Sequence, residues 1–262
     1  MSYNTIIWGV ADGVARITLN RPENANALNL EMCQELMRAA IQCDEDPAIR
    51  AVILTATGKM FCAGGDLAAF GDAGDNVGPL LKEMTTNLHA ASSRFMRMDP
   101  PLIVAVNGTA AGGGMSLAIS GDIVLSAESA KFTMAYTNAG LSPDGTSSYF
   151  LPRLIGLRRT QELMLTNRVL SAQEAQEWGV ITQSVPDDQL MAEAEKLAKT
   201  FAKGPTRAYG AVKFLLSESY DNALETQTEW ESRKISEMGR SEDGKAGIAA
   251  FLEKRKPEFH GK

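Results

Sequence analysis

The sequence predicts an α/β layered core followed by an all-helical region, and two observations carry that prediction. An apolar strand pattern runs twice through a glycine-containing loop into a helical segment. Residues 52–54 lead into Phe61-Cys62-Ala63-Gly64-Gly65-Asp66, and residues 102–106 lead into Asn107-Gly108 and then Ala111-Gly112-Gly113-Gly114. Strands that feed helices in this way build a layered sheet. Beyond about residue 190 the strand patterns stop, and helical segments with few turn signals follow.

Taken in order, residues 5–8 and 14–19 are expected to form a hairpin, because Asp12-Gly13 tolerates the positive φ angles of a two-residue turn. Arg21-Pro22 and the Asn-rich stretch after it form a loop. Residues 30–43 have helical spacing, with Met32, Leu36, Met37, Ala40 and Ile41 on one face, and residues 44–47 close the helix. Residues 51–55 form a short apolar strand of the buried type. Residues 70–79, rich in Gly and Asp, are expected to be a mobile loop lining any pocket, and residues 80–98 a helix. A further apolar helix starts near Met115, and residues 123–125 form another strand. Residues 157–166 and 172–178 are helical, the second with Ser171 at its N-cap. The final helices cover residues 189–202, 206–217, 221–238 and 241–255. They divide the chain into a core of residues 1–195 and a helical assembly region of residues 196–262.

Of the 262 residues, 44% are hydrophobic and 22% charged, ample for a substantial core. A net charge of −6 gives a nucleic-acid surface little support. The three cysteines, Cys33, Cys43 and Cys62, have neither metal-ligand nor disulfide spacing and are expected to be buried thiols in a reducing compartment. Only two histidines, far apart, make a metal site an unpromising reading. No leader-like start and no stretch of ~20 apolar residues is visible. The expectation is therefore a cytoplasmic protein that does not bind a membrane.

The paired loops suggest chemistry. A carbonyl oxygen that becomes anionic can be held by two preorganised backbone N–H groups, and glycine lets such a group approach without a Cβ in the way. Either loop alone is equally well explained by tight turns or close packing. Neither has the G-x-G-x-x-G spacing of a dinucleotide site.

The sequence resembles the crotonase family, also called the enoyl-CoA hydratase/isomerase family. The matching pieces are Leu19-Asn20-Arg21-Pro22 with residues 25–29, then Phe61-Cys62-Ala63-Gly64-Gly65-Asp66-Leu67, Val106-Asn107-Gly108 and Ala111-Gly112-Gly113-Gly114. They continue with Gly121-Asp122-Ile123, Ala130-Lys131-Phe132 and the closing residues 250–256. They cover nearly the whole chain in the family's order. The resemblance implies a crotonase (ClpP-like) spiral of ββα units with a C-terminal helical trimerisation region, assembled as a homotrimer or dimer of trimers. It implies an acyl-CoA thioester as substrate, with coenzyme A entering as part of that substrate and no permanently bound cofactor. Carried over by position, the amides of Gly65 and Gly113 are the oxyanion donors. Ala25, Ala27, Ala63, Asp66 and Leu67 line the adenine and pantetheine path. Phe251 and Lys254 reach the nucleotide end, often from a neighbouring subunit.

The family's hydratases use two glutamates, and the corresponding positions hold Ser116 and Tyr136, which are expected instead to line the acyl pocket. Neither is an ordinary general base at neutral pH. Asp144, in Leu141-Ser142-Pro143-Asp144-Gly145, resembles the carboxylate that shuttles a proton in some family isomerases, although Pro-Asp-Gly is also a turn signal. The expected function is an enoyl-CoA isomerase. The alternatives are an enoyl-CoA hydratase, an inactive acyl-CoA-binding relative, or an enzyme resembling the family's 4-chlorobenzoyl-CoA dehalogenase. The last uses an Asp at position 144, but its histidine base falls at Ser93, whereas the histidine here is His89. Asp66 is expected to fix its loop and Asp122 to brace the strand at Ile123. Ser116 lacks a nucleophile elbow, so a serine hydrolase is not supported.

Overall fold

A computed structural model describes residues 3–262. The two sheets grow from one repeated motif. In each repeat a long apolar strand enters the core, a three-residue strand follows, and a helical segment closes the unit. The first repeat is β3 (Ala51–Ala56), β4 (Met60–Cys62) and α2 (Leu67–Ala73), which passes through a short 3-10 turn into α3 (Val77–Arg97). The second is β5 (Leu102–Val106), β6 (Thr109–Ala111) and α4 (Gly113–Ala118). The third is β7 (Ile123–Ala127), β8 (Lys131–Thr133), a 3-10 turn at Tyr136–Ala139 and α5 (Ser147–Thr166).

The hairpin β1 (Ile6–Ala11) and β2 (Val14–Leu19) starts the larger sheet, with Asp12 and Gly13 both at positive φ in the turn. Helix α1 (Leu30–Glu45) follows, with the Asn29 side chain accepting from Met32 N. After α5 come β9 (Leu170–Ser171), α6 (Ala172–Trp178) and β10 (Gln183–Val185). Ser171 caps α6 with a full capping box closed by Glu174. The six-stranded sheet has the order β1-β2-β3-β5-β7-β10, parallel except for the hairpin. The short strands form a second sheet, β4-β6-β8-β9, in which β4, β6 and β8 are mutually parallel. Strands β3 and β5 are almost wholly buried, as their unbroken apolar runs require.

Helix α7 (Leu190–Ala202) lies across β3, β5 and β7, with Leu190, Ala194 and Ala198 buried. Residues 195 and 196 both lie within this helix. Helices α8 (Thr206–Glu218), α9 (Leu224–Arg240) and α10 (Glu242–Leu252) then pack in sequence on one another and leave Leu216, Leu224, Ile235 and Leu252 exposed. No helix among the described residues is long and apolar enough to cross a membrane.

Two expectations are corrected. Residues 70–79 are not a loop: α2 runs through Phe70, and α3 begins at Val77. Their Gly and Asp residues are accommodated by a single left-handed break at Gly74, with φ of 51°. The buried face of α1 is rotated from the expected one. Glu35 and Cys43 are inside, while Ile41 is 45% exposed. Glu35 tolerates burial because its carboxylate accepts from Asn4 N at 2.7 Å and Thr5 N at 2.8 Å, anchoring the lead into β1. Residues 157–166 are helical as expected; a further helical segment from Ser147 precedes them, separated by a kink at Gly156, with φ 78° and ψ 159°.

Candidate active site

Parallel strands release their chains at a common edge. The loops that leave β4, β6 and β8 therefore meet, and each makes its exit at positive φ: Gly64 at 102°, Gly112 at 50° and Ala135 at 44°. Contact between the first two loops is close. A methyl group on Gly64 would lie 3.0 Å from Ala111 O and 3.4 Å from Gly113 N. At Gly114 a Cβ would overlap the Cys62 carbonyl, so α4 can sit on β4 only with glycine there.

This arrangement aims two backbone donors. Gly65 forms a parallel bridge with Leu28, in which Leu28 N donates to Gly64 O at 2.7 Å and Asp66 N to Leu28 O at 2.9 Å. In that pattern the N–H of Gly65 itself points to the opposite side. Gly113 is the first residue of α4, where an N–H has no intrahelical acceptor. Among the described residues neither N–H is engaged in a hydrogen bond. Both glycines line one cavity of about 280 Å³, together with Tyr136 and Asp144. The rest of its wall is largely apolar, with Leu28, Phe70, Leu81, Met84 and Leu88 prominent. Asp144 is the one carboxylate among the described residues that line it. A larger, more open groove of 540 Å³ between α8 and α9 carries Arg207, Arg233 and Arg240, but it has no free backbone donors paired with an acid–base group.

Asp144 sits in the turn before α5. Its side chain accepts a short hydrogen bond from the Tyr136 hydroxyl. Burial first, and then the Asp144 carboxylate, push the Tyr136 hydroxyl far above the ordinary phenol range, so it stays protonated. Ser116 departs from expectation. It is fully buried and does not line the cavity. It lies one layer behind, with Oγ 3.0 Å from the Tyr136 oxygen and 3.0 Å from the Asp144 carbonyl, because one turn of α4 carries it away from the Gly113 end.

Of the other expected residues, Ala63 and Leu67 line the cavity, whereas Ala25, Ala27 and Asp66 do not. Ala63 N donates to Ala25 O at 3.0 Å. Asp66 caps α2 through Ala69 N at 3.2 Å, as its loop-fixing role requires. Phe251 and Lys254, at the end of α10, are exposed and do not reach this cavity within the chain. Of residues 70–79, Phe70 alone lines the wall. Asp122 braces its strand as expected: Oδ2 accepts from Leu102 N at 2.7 Å and pairs with Lys213 at 2.8 Å. All three cysteines are buried. Cys33 borders the cavity, and burial pushes its thiol up to about 12, with Asp144 adding to the effect.

Three structural anchors carry no role in the sequence reading. Arg21 donates to Ala27 O at 2.6 Å and pairs with Asp66 at 3.0 Å, tying the segment before α1 to the Gly65 loop. Asn26, at φ 54° and fully buried, donates to Thr57 O and Met60 O. An Asn in an Asn-rich loop that can tolerate left-handed backbone was the available signal. His89 accepts from Gly145 N at 3.1 Å through Nε2, tying α3 to the turn before α5. Helical periodicity shows only that His89 belongs to α3, since this partner is 56 residues away.

Comparison with known proteins agrees with this geometry. Residues 9–262 match the enoyl-CoA hydratase/isomerase family. The chain is 41% identical to the 1,2-epoxyphenylacetyl-CoA isomerase of Escherichia coli K12 over 261 residues, 98% of each chain. It is 33% identical to a 4-chlorobenzoyl coenzyme A dehalogenase of an Arthrobacter species, over 86% of this chain and 82% of that one. The crystal structure of an enoyl-CoA hydratase from Polaromonas sp. JS666 superposes with a TM-score of 0.92 at 31% identity, over 97% of this chain and 99% of that one. A match over nearly the whole length, on a crotonase fold with paired glycine loops, places the chain in the enoyl-CoA hydratase/isomerase family.

Proposed function

We propose that the protein is an acyl-CoA isomerase that moves a proton through a thioester enolate. The observation that carries this reading is one carboxylate, Asp144, sharing a small apolar cavity with two unoccupied backbone donors. A 3-enoyl-CoA would place its thioester oxygen at the N–H groups of Gly65 and Gly113. Asp144 removes a proton from C2, and the electron pair of the broken C–H bond spreads over the dienolate to that oxygen. The Asp144 carboxyl, which exchanges its proton with solvent, then delivers a proton at C4, which moves the double bond from C3–C4 to C2–C3; delivery back at C2 regenerates the substrate. One carboxylate suffices because nothing is added or lost. The cavity lies at the lower end of the ~300–1,000 Å³ range of small-molecule sites. That size suits the acyl group and thioester, with the rest of coenzyme A outside. The similarity to a 1,2-epoxyphenylacetyl-CoA isomerase supports an isomerisation of a CoA ester.

Hydration is less well supported. It requires an acid and a base on the added water, and the hydratase positions hold Ser116, which lies outside the cavity, and Tyr136, which stays protonated. A dehalogenase-like displacement has Asp144 in place, but it also needs a base for hydrolysis. The Nε2 atom of His89 already serves as an acceptor for Gly145. The reading extends to assembly: the exposed apolar side chains of α8–α10 would be covered by further copies of the chain, bringing Phe251 and Lys254 to a neighbour's substrate.

Asp144→Asn tests the chemistry. Incubation of trans-3-hexenoyl-CoA in D₂O should give C2 deuterium exchange and trans-2-hexenoyl-CoA with the wild type. The variant should be slower by ~10²–10⁴-fold with nearly unchanged affinity for a CoA ester. Undiminished exchange in the variant would reject Asp144 as the proton carrier.

A further inference from the structure

Asp144 has two carboxylate oxygens, and the fold already occupies one. The Tyr136 hydroxyl donates to Oδ1. Behind it, Ser116 Oγ is within 3.0 Å of the Tyr136 oxygen, 3.0 Å of the Asp144 carbonyl and 3.3 Å of the Gly112 carbonyl. Counting hydrogens fixes the main direction. A carboxylate only accepts, so the one hydroxyl hydrogen of Tyr136 goes to Oδ1. The Ser116 hydrogen is left for the Tyr136 oxygen or one of the two carbonyls. Ser116 is one turn from Gly113 on α4. The cluster therefore joins the side chain of the base to the helix whose first N–H faces the cavity.

We propose that Tyr136 is a positioning residue for the reaction: by occupying Oδ1 and tying Asp144 to α4 through Ser116, it leaves Oδ2 as the single oxygen that carries the proton, at a fixed offset from the Gly113 donor. This rests on Asp144 being the proton carrier. A phenol that stays protonated is suited to the task, because it donates throughout the cycle and never competes for the substrate proton. Its bond to a carboxylate is of the charge-assisted kind, roughly twice as strong as a neutral one. The other titratable groups facing the cluster are Cys33 on α1, its thiol held neutral by burial, and His89 on α3, held as an acceptor by Gly145. Neither offers Oδ1 a replacement donor among the assigned hydrogen bonds.

The test compares wild type, Asp144→Asn, Tyr136→Phe and a form with 3-fluorotyrosine at position 136, all assayed by C2 exchange of trans-3-hexenoyl-CoA across pH. Tyr136→Phe should keep KM within about twofold and lose ~10–100-fold in kcat, the worth of one hydrogen bond to a charged group. The acidic limb of its kcat profile should move to higher pH, since a carboxylate that has lost a donor takes up a proton more readily. Fluorotyrosine, a stronger donor of almost the same shape, should move that limb to lower pH. A wild-type kcat and an unmoved limb in Tyr136→Phe, beside an inactive Asp144→Asn, would overturn the role of Tyr136 and leave Asp144 standing. Full exchange by Asp144→Asn would overturn both. If Tyr136→Phe does not fold, the fluorotyrosine form decides alone, and an unmoved limb refutes the proposal.

Discussion

Replacing Gly113 by proline removes one backbone hydrogen at the centre of the site while asking little of the fold. Gly113 opens α4, the helical position where proline is best tolerated, because the missing N–H has no intrahelical partner. No hydrogen bond of the chain is lost, since that N–H is not engaged among the described residues. The new Cβ would stand 3.0 Å from Leu28 Cδ1 and 3.7 Å from the Tyr136 hydroxyl oxygen. The first contact is with the end of a flexible side chain, which must give by a few tenths of an ångström. Gly113→Ala introduces the same Cβ and keeps the N–H, so it separates the effect of the Cβ from that of proline, whose Cδ replaces the amide hydrogen. Loss of one oxyanion donor costs ~3–4 kcal/mol in the barrier, or about 10²–10³ in kcat. Thermal or urea unfolding should place the two variants within ~1 kcal/mol of one another, because neither breaks a bond that the other keeps. C2 exchange of trans-3-hexenoyl-CoA reads the effect on turnover. Equal kcat for the Ala and Pro variants would show that the Gly113 N–H does not act on the reacting oxygen.

Other consequences follow from the buried groups. Burial pushes the thiols of Cys33 and Cys62 up to about 12, and that of Cys43 upward as well, so a thiol reagent at neutral pH should label none until the chain unfolds. In the unfolded chain these thiols ionise near ~8.5, so the native state holds more protons above that pH. The stability they contribute is complete below it and declines as pH rises towards 12, at up to ~1.4 kcal/mol per pH unit for each thiol. Urea midpoints that stay flat from pH 8 to 10 would contradict this. Arg21→Ala should cost ~2–4 kcal/mol, because it strands the Asp66 carboxylate and the Ala27 carbonyl in a largely buried place, and urea denaturation measures it. Light scattering should find a trimer or a multiple of three, since α9 exposes Leu224 at 73% and Ile235 at 75%; a stable monomer would count against that assembly.

The parts legible in the sequence are those with local signals. Strand β5 begins and ends where its apolar run does, and α6 matches its predicted span because Ser171 and Glu174 write a capping box into four residues. The paired glycine loops are visible because two strand-to-helix loops repeat the same composition. Non-local features were hidden. Residues 70–79 have loop-like composition, yet α3 extends back to Val77, although its buried residues begin only at Met84. The face of α1 is set by Glu35, whose partners Asn4 and Thr5 lie about thirty residues away. Ser116 lies in the right motif, but its side-chain direction depends on how α4 seats Gly114 on β4, and spacing alone does not contain that information.

The third repeat shows why the proposed acid–base residue is harder to find than the proposed oxyanion donors. All three short strands end at one edge and turn at positive φ, but the third does so with Ala135, not glycine. A left-handed alanine costs ~1–2 kcal/mol and leaves no compositional mark on the sequence. The division of labour has a physical basis. A glycine loop exposes main-chain N–H groups because it has no side chain, and for the same reason it cannot hold a group that moves protons. In the proposed mechanism two repeats keep their glycines and supply donors, while the acid–base residue belongs to the repeat whose turn is Ala135. That repeat places Tyr136 immediately after its turn and brings Asp144 back against it eight residues later. On the proposed mechanism, the regular part of the spiral supplies the oxyanion donors and its irregular part the proton transfer.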